Sequence, residues 1–275
     1  MIKREKYLEK IRPFYDQDLI KVITGIRRCG KSVLLTQIID EIKESGVKES
    51  QIIYLNFEFL DYSFIKNEED LNKYIKEKIT NKDKYYIFLD EIQSVESWEK
   101  AVNSFKASLN VSIFITGSNS DLLSGELATH IAGRYVSFKI YPFSFKEVCE
   151  FKNPLNNEEK EILFNDYIIW GGMPQRYMFT NEEMVKTYLR DIYDSIILKD
   201  IIQRFKIKEV DLFNRIIEYI VTTLAQTLSV TNLSSYFLNK DNRSVSSETI
   251  YNYLDYMVRS LLINKCDKYD IREIG

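Results

Sequence analysis

Residues 25–32, Gly-Ile-Arg-Arg-Cys-Gly-Lys-Ser, lie between a short apolar run at 19–24 and a segment where Val33, Leu34, Ile38 and Ile42 recur near helical spacing. A strand feeding a glycine-bounded loop and then a helix gathers backbone N–H groups at one point. The helix N-terminus adds positive potential there, so the point favours phosphate. Gly30 lets the backbone approach phosphate oxygens without a Cβ in the way. Lys31 is placed for the β- and γ-phosphates and Ser32 for magnesium. The residues expected to surround the phosphates of ATP are therefore Gly25, Ile26, Arg27, Arg28, Cys29, Gly30, Lys31, Ser32 and Val33. For Arg27 and Arg28, a surface-charge reading stands beside added phosphate contacts. Cys29 reads as filler rather than a redox switch, although a thiol beside phosphate is chemically vulnerable.

The pattern around this loop repeats. Apolar runs at 51–57, 85–89, 112–116 and 135–141 alternate with helical patterns at 31–45, 68–79 and 98–109. Near-continuous apolar strands separated by helices predict a parallel sheet covered on both faces. A short amphipathic helix at 3–14, ended by Pro13, precedes it. After about residue 143 the pattern turns helical, with segments near 158–170, 181–203, 210–224, 230–237 and 246–261, and no internal repeat. The boundaries expected are 1–150, 151–205 and 206–275, with the first cut near Pro142 and Pro154.

The run Tyr86-Ile87-Phe88-Leu89 ends in Asp90-Glu91, about 60 residues after the loop. Alone it reads as an acidic turn. Coupled to the loop, it places Asp90 on the magnesium side of the phosphates and Glu91 where a carboxylate can deprotonate an attacking water. The next strand ends in Thr116-Gly117-Ser118-Asn119, where Ser118 or Asn119 can touch the γ-phosphate; the competing reading is a plain turn. Asn56 reads either as a strand cap or as a restraint on Glu91. Arg134 is a candidate finger for a neighbouring subunit's γ-phosphate, or else half of an internal salt bridge. His130 reads as structural.

In order, Gly25 to Ser32, Tyr86 to Glu91, Phe114 to Asn119, Ala132-Gly133-Arg134-Tyr135, Tyr141-Pro142-Phe143-Ser144-Phe145 and Trp170-Gly171-Gly172-Met173-Pro174 resemble the prokaryotic AAA+ ATPases of the AAA_14 type. The resemblance implies an α/β P-loop NTPase fold of the AAA+ (ASCE) kind, a parallel sheet sandwiched by helices. It implies an α-helical lid and a winged-helix-like segment after the sheet, then the beginning of a DUF4143 region. It places Pro174, of a Gly-x-Pro lid element, near the adenine. The activity implied is hydrolysis of ATP to ADP in a magnesium site, working on an unidentified protein client, with a homo-oligomer supplying Arg134 in trans. The segment 269–275 carries neither cap nor polar tail and reads as a chain stopped partway through an element.

Composition removes several rivals. The formal net charge is −3 over 275 residues, so the molecule has no bulk attraction for nucleic acid. Cys29, Cys149 and Cys266 form no CxxC pair, and with one histidine they do not suggest structural zinc. No apolar stretch of membrane-spanning length and no signal core occur, so a cytoplasmic setting is expected. Asn264-Lys265-Cys266-Asp267 matches a guanine-binding pattern but lies far from the sheet. Asp90-Glu91-Ile92-Gln93 also lacks the glycine a GTPase has there. A nucleotide-gated DNA-binding regulator is the main alternative, with Ser246, Ser247, Thr249 and Asn252 on a recognition helix. Residues 240–275, however, hold six Lys/Arg and six Asp/Glu, so the electrostatic footprint of DNA binding is absent.

Overall fold

The computed structural model describes residues 2–118, 122 and 133–266, so Asn119 and His130 lie outside the described residues. The chain divides into two compact units, Met1–Leu189 and Arg190–Gly275.

The first unit is built on five strands: β1 (Ile20–Gly25), β2 (Ile52–Asn56), β3 (Tyr85–Asp90), β4 (Val111–Gly117) and β5 (Tyr135–Ile140). They pair in the order β2-β3-β4-β1-β5, every pairing parallel. Alternate side chains of each strand leave on opposite faces, and the apolar residues divide accordingly. Ile20, Val22, Ile87, Leu89, Ile113 and Ile115 join one core with Leu71 and Ile75 of α3 (Glu68–Lys78) and Val102 and Phe105 of α4 (Trp98–Ser108). Ile23, Tyr86, Phe88 and Phe114 join the other with Leu8 and Ile11 of α1 (Glu5–Ile11) and Leu34, Leu35 and Ile38 of α2 (Lys31–Glu44). Within that second core the Phe88 and Phe114 rings stack with centroids 4.6 Å apart. The covered parallel sheet is therefore the fold that the alternation of strands and helices predicted.

The helix at the N-terminus stops earlier than the 3–14 pattern suggests. α1 ends at Ile11, and Arg12–Phe14 tightens into a 3-10 turn around Pro13, because proline cannot supply the next helical N–H. After the sheet come α5 (Phe145–Lys152), α6 (Asn157–Trp170) and α7 (Glu182–Ser195). α5 starts with a reciprocal cap: the Ser144 hydroxyl accepts from the Glu147 N–H, and the Glu147 carboxylate accepts from the Ser144 N–H at 2.9 Å.

The helical pattern at 181–203 holds only in part. Beyond Ser195 the backbone widens into a π-helix, Ile196–Gln203. Ile196, Ile197 and Ile201 are all buried. The i to i+5 repeat of a π-helix brings Ile196 and Ile201 to one side, where an α-helix would separate them. The second unit continues with α8 (Val210–Thr222), α9 (Val230–Asp241) and α10 (Ser247–Arg259). Phe213 of α8 meets Tyr253 of α10 edge-to-face at 5.2 Å. Three helices thus stand where the sequence pattern placed helical segments near 210–224, 230–237 and 246–261. Among the described residues, no strand follows β5. Ser246 caps α10 by accepting from the Thr249 N–H at 3.1 Å. Among the described residues, no helix is long and apolar enough to cross a membrane.

Candidate functional site

Because all strands run the same way, their C-terminal ends gather on one edge, where ligands of open α/β sheets bind. β1 delivers the loop 26–30 there. Gly30, just before α2, has φ +101°, a conformation that side chains with a Cβ rarely adopt. Arg28 also has positive φ, at +63°. Lys31 is buried, and its Nζ donates to the Gly25 carbonyl at 3.1 Å. Ser32 and Val33 are half-buried on the first turn of α2.

β3 lies two strands away and brings Asp90 and Glu91 to the same edge. Asp90 is fully buried and heavily bonded. Tyr54 donates to its Oδ2 at 3.0 Å, Asn56 donates to Oδ2 at 3.2 Å, and the Thr116 hydroxyl donates to Oδ1. Tyr54 and Asn56 come from β2 and Thr116 from β4, so all three strands fix this carboxylate. Proximity to Asp90 and burial also push the Tyr54 phenol above its ordinary range, burial being the larger effect.

Glu91 has φ +53°, and its N–H donates to Thr116 Oγ1 at 3.0 Å. Its Oε1 lies 3.1 Å from Lys31 Nζ, and its Oε2 accepts from the Gln93 amide. Burial pushes this carboxyl up, but the Lys31 ammonium and the Gln93 amide together hold it below the usual carboxylate range. Lys31 and Glu91, 60 positions apart in sequence, are thus in direct contact. Gln93 is a site residue that sequence reasoning missed, since nothing in its spacing marks a side chain folding back two residues. Asn56 bonds Asp90 rather than Glu91, and its Oδ1 also accepts from the Glu58 N–H at 2.9 Å, so it acts as both cap and tether.

All but one of the remaining described candidates lie around this edge. Ser118 is buried at the end of β4. Arg27 pairs with Glu58 at 3.2 Å. Arg28 is exposed and donates to Gln175 at 3.4 Å, joining the loop to the residue after Pro174. Pro174 opens a 3-10 turn, Pro174–Met178, and is half-buried. Gly172 lies against Phe143, whose N–H donates to its carbonyl at 2.7 Å. Cys29 is buried, and that burial pushes its thiol up, which makes it a packing residue rather than a reactive one. Arg134 is exposed at the other edge of the sheet: its carbonyl accepts from Ile20 at the start of β1, a whole strand from Gly25, or roughly 17 Å at 3.3 Å per residue. It is therefore out of reach of its own chain's loop.

Behind the loop is a second feature invisible to motif reading. Arg4 is buried, donates to Glu147 Oε1 at 2.6 Å, to the Cys29 carbonyl at 3.0 Å and to the Tyr141 carbonyl at 2.9 Å, and lies over the Tyr7 and Phe143 rings. One guanidinium thus ties the loop 26–30, the end of β5 and the cap of α5.

Two family models match: an AAA domain, AAA_14, over residues 17–149, and a domain of unknown function, DUF8612, over residues 161–275. The second stands where the resemblance implied the start of a DUF4143 region. An uncharacterized protein of Haemophilus influenzae is 41% identical over 278 residues, covering all of this chain and 69% of that protein. An uncharacterized protein of Methanocaldococcus jannaschii is 35% identical over 253 residues, covering 89% of this chain and 55% of that protein. The chain is thus shorter than either relative. Among solved structures, a Walker-type ATPase of Pyrococcus abyssi is similar at TM-score 0.63 and 15% identity, covering 94% of this chain and 90% of that one. The ORC2 protein of Aeropyrum pernix, in ADPNP and ADP complexes, is similar at TM-score 0.50 and 10% identity, covering 94% and 84%. The shared parallel-sheet fold, the family match and the relative aligned along the whole chain lead to one conclusion: the chain belongs to the prokaryotic AAA_14 family and carries its AAA+ P-loop ATPase-like domain.

Proposed function

We propose that this chain binds ATP on the loop 25–33 and hydrolyses it to ADP and phosphate in a magnesium-dependent site, using the cycle as a conformational switch or motor on a protein client. The observation that carries this reading is the 3.1 Å contact between Lys31 and Glu91. A loop ammonium and a strand-end carboxylate from distant sequence meet beside a glycine-shaped cradle and a carboxylate clamped by three neighbours.

In this reading Lys31 turns its ammonium to the β- and γ-phosphates, which frees Glu91 Oε1. Glu91 accepts a proton from the attacking water. The water oxygen bonds to the γ-phosphorus as the bond to the bridging oxygen breaks, and ADP leaves with that electron pair. The Ser32 hydroxyl and Asp90 carboxylate are hard oxygen donors that suit magnesium, and Asp90 is preorganised by Tyr54, Asn56 and Thr116. Magnesium, when bound, supplies charge neutralisation at the phosphate oxygens. Ser118 or Asn119 contacts the γ-phosphate, Pro174 lies near the adenine, and Arg134 serves the site of a neighbouring copy. Residues 1–150 form the catalytic core, 151–205 the lid and 206–275 a winged-helix-like segment that reports its state. An ATP-fuelled client cycle belongs in the cytoplasm.

The test is steady-state hydrolysis with magnesium for wild type, Glu91→Gln and Lys31→Ala over a range of protein concentrations. The expected result is turnover by wild type, ATP binding with only a small residual turnover by Glu91→Gln, and weak binding by Lys31→Ala. Turnover by Glu91→Gln at the wild-type rate, or wild type that binds ATP and never hydrolyses it, would overturn the proposal.

A further inference from the structure

We propose that Gln93 is a positioning residue for the Glu91 carboxylate, a role that rests on the ATPase reading above and deepens it. The backbone around Glu91 leaves the carboxylate little freedom. Its φ of +53° and the bond from its N–H to Thr116 Oγ1 fix the main chain. Ile92, fully buried, and the bond from the Val95 N–H to the Ile92 carbonyl fix the turn that follows. What stays adjustable is the Glu91 side chain, and two groups hold it: Lys31 on Oε1 and the Gln93 amide on Oε2.

These two partners differ in what phosphate does to them. Lys31 is the group that an incoming β- or γ-phosphate claims. Once it turns, Gln93 remains as the neutral donor that keeps the carboxylate at the site. A neutral amide restrains a general base without competing for the phosphate, which a second cation at this position would do.

A second observation bears on the space this side chain occupies. A Cβ added at Gly117, the last residue of β4, would lie 2.2 Å from Leu122 Cδ1 and 2.6 Å from Gln93 Oε1. The absence of a side chain at 117 therefore leaves room for Leu122 and for the Gln93 carboxamide together. Asn56, the residue the sequence suggested for restraining Glu91, is occupied with Asp90 instead.

The experiment compares wild type, Gln93→Met, Glu91→Gln and the double variant in magnesium-dependent hydrolysis. Methionine keeps the length of glutamine and removes the amide. Gln93→Met is expected to lower kcat at least tenfold with KM for ATP within twofold, and to cost nothing further in the Glu91→Gln background. A Gln93→Met kcat within twofold of wild type, or losses that multiply in the double variant, overturns the proposal. A second measurement reads the contact without turnover: the 15N side-chain amide spectrum of the nucleotide-free full chain, in which the Gln93 pair is the one missing from Gln93→Met. Those resonances should move in Glu91→Ala, and if they stay in place the inference is wrong. The outcomes separate cleanly. If wild type shows no hydrolysis, the ATPase reading fails and the amide spectrum alone decides Gln93. If wild type hydrolyses ATP, Glu91→Gln keeps only a small residual turnover, and Gln93→Met behaves as wild type, only the Gln93 assignment fails.

Discussion

Replacing Lys21 by methionine should stabilise the protein at neutral pH. Lys21 lies in the middle of the apolar run that forms β1 and is fully buried. Its Nζ donates to Ser112 Oγ at 2.6 Å and to the Gln17 carbonyl at 3.4 Å, and lies 4.6 Å from the centre of the Phe114 ring. Among the described residues, no carboxylate bonds it directly. Burial pushes its pKa down from 10.5 to about 7, with Lys84 and Lys106 acting in the same direction against Asp16 and Asp18. That displacement corresponds to about 4–5 kcal/mol against the charged form in the fold. Methionine removes this penalty and fills similar volume, but it forfeits a hydrogen bond worth about 1 kcal/mol and a cation–π contact worth about 1 kcal/mol. The net gain expected at pH 6.5 is about 2–3 kcal/mol.

The sign with pH follows from linkage. Below pH 7 the lysine is protonated in both states, and the folded state carries the whole penalty. Between about 7 and 10.5 the folded lysine is neutral while the unfolded one still holds its proton, so wild-type stability rises with pH by about 1.4 kcal/mol per unit relative to Lys21→Met. Above 10.5 both states are neutral, and the difference, by then reversed in favour of wild type, no longer changes with pH. Urea denaturation of both proteins at pH 6.5, 8.0 and 9.5 reads this directly. A stability difference that is flat over that range, or Lys21→Met less stable at pH 6.5, would refute the claim that desolvation dominates at this position.

Three further outcomes are expected. Glu147→Ala strands the buried Arg4 guanidinium and should cost about 3–5 kcal/mol in urea unfolding, with the Arg4→Met/Glu147→Leu pair costing less than that single change. In Gly172→Ala the new Cβ would lie 2.0 Å from the Phe143 carbonyl oxygen, a backbone atom with little freedom to move aside, so a loss of about 2 kcal/mol or more should appear in the urea midpoint; an unchanged midpoint would refute the close approach. Arg134→Ala should lower turnover by about 100-fold or more, and mixing it with Glu91→Gln should restore activity, because each variant supplies the group the other lacks; mixtures that stay inactive would argue against a shared site.

Much of the site was legible because its chemistry is local. Gly25 to Ser32 mark a candidate phosphate loop from consecutive residues, and a strand running straight into Asp90-Glu91 places two carboxylates where the chain leaves the sheet. The alternation within strands was legible too. Ile87 and Leu89 against Tyr86 and Phe88 fall into separate cores because successive side chains leave a strand on opposite sides. Lys21 shows the limit of that reading. It was absorbed into an apolar run, and only the packing around it revealed a desolvated amine.

The sequence by itself determined the loop, the order of strands and helices, and the candidate residues for phosphate chemistry, since each depends on neighbours within a few positions. Tertiary structure decided which of those residues serve which. Strand order set Tyr54, Asn56 and Thr116 around Asp90, because β2 and β4 flank β3. Folding brought Arg4 under the loop from 25 positions away and joined it to Glu147 across 143. It assigned Gln93 rather than Asn56 to Glu91, through a turn and a glycine whose spacing carries no periodic signal. Periodicity specifies which way a side chain faces. Only the packed backbone specifies what is standing there.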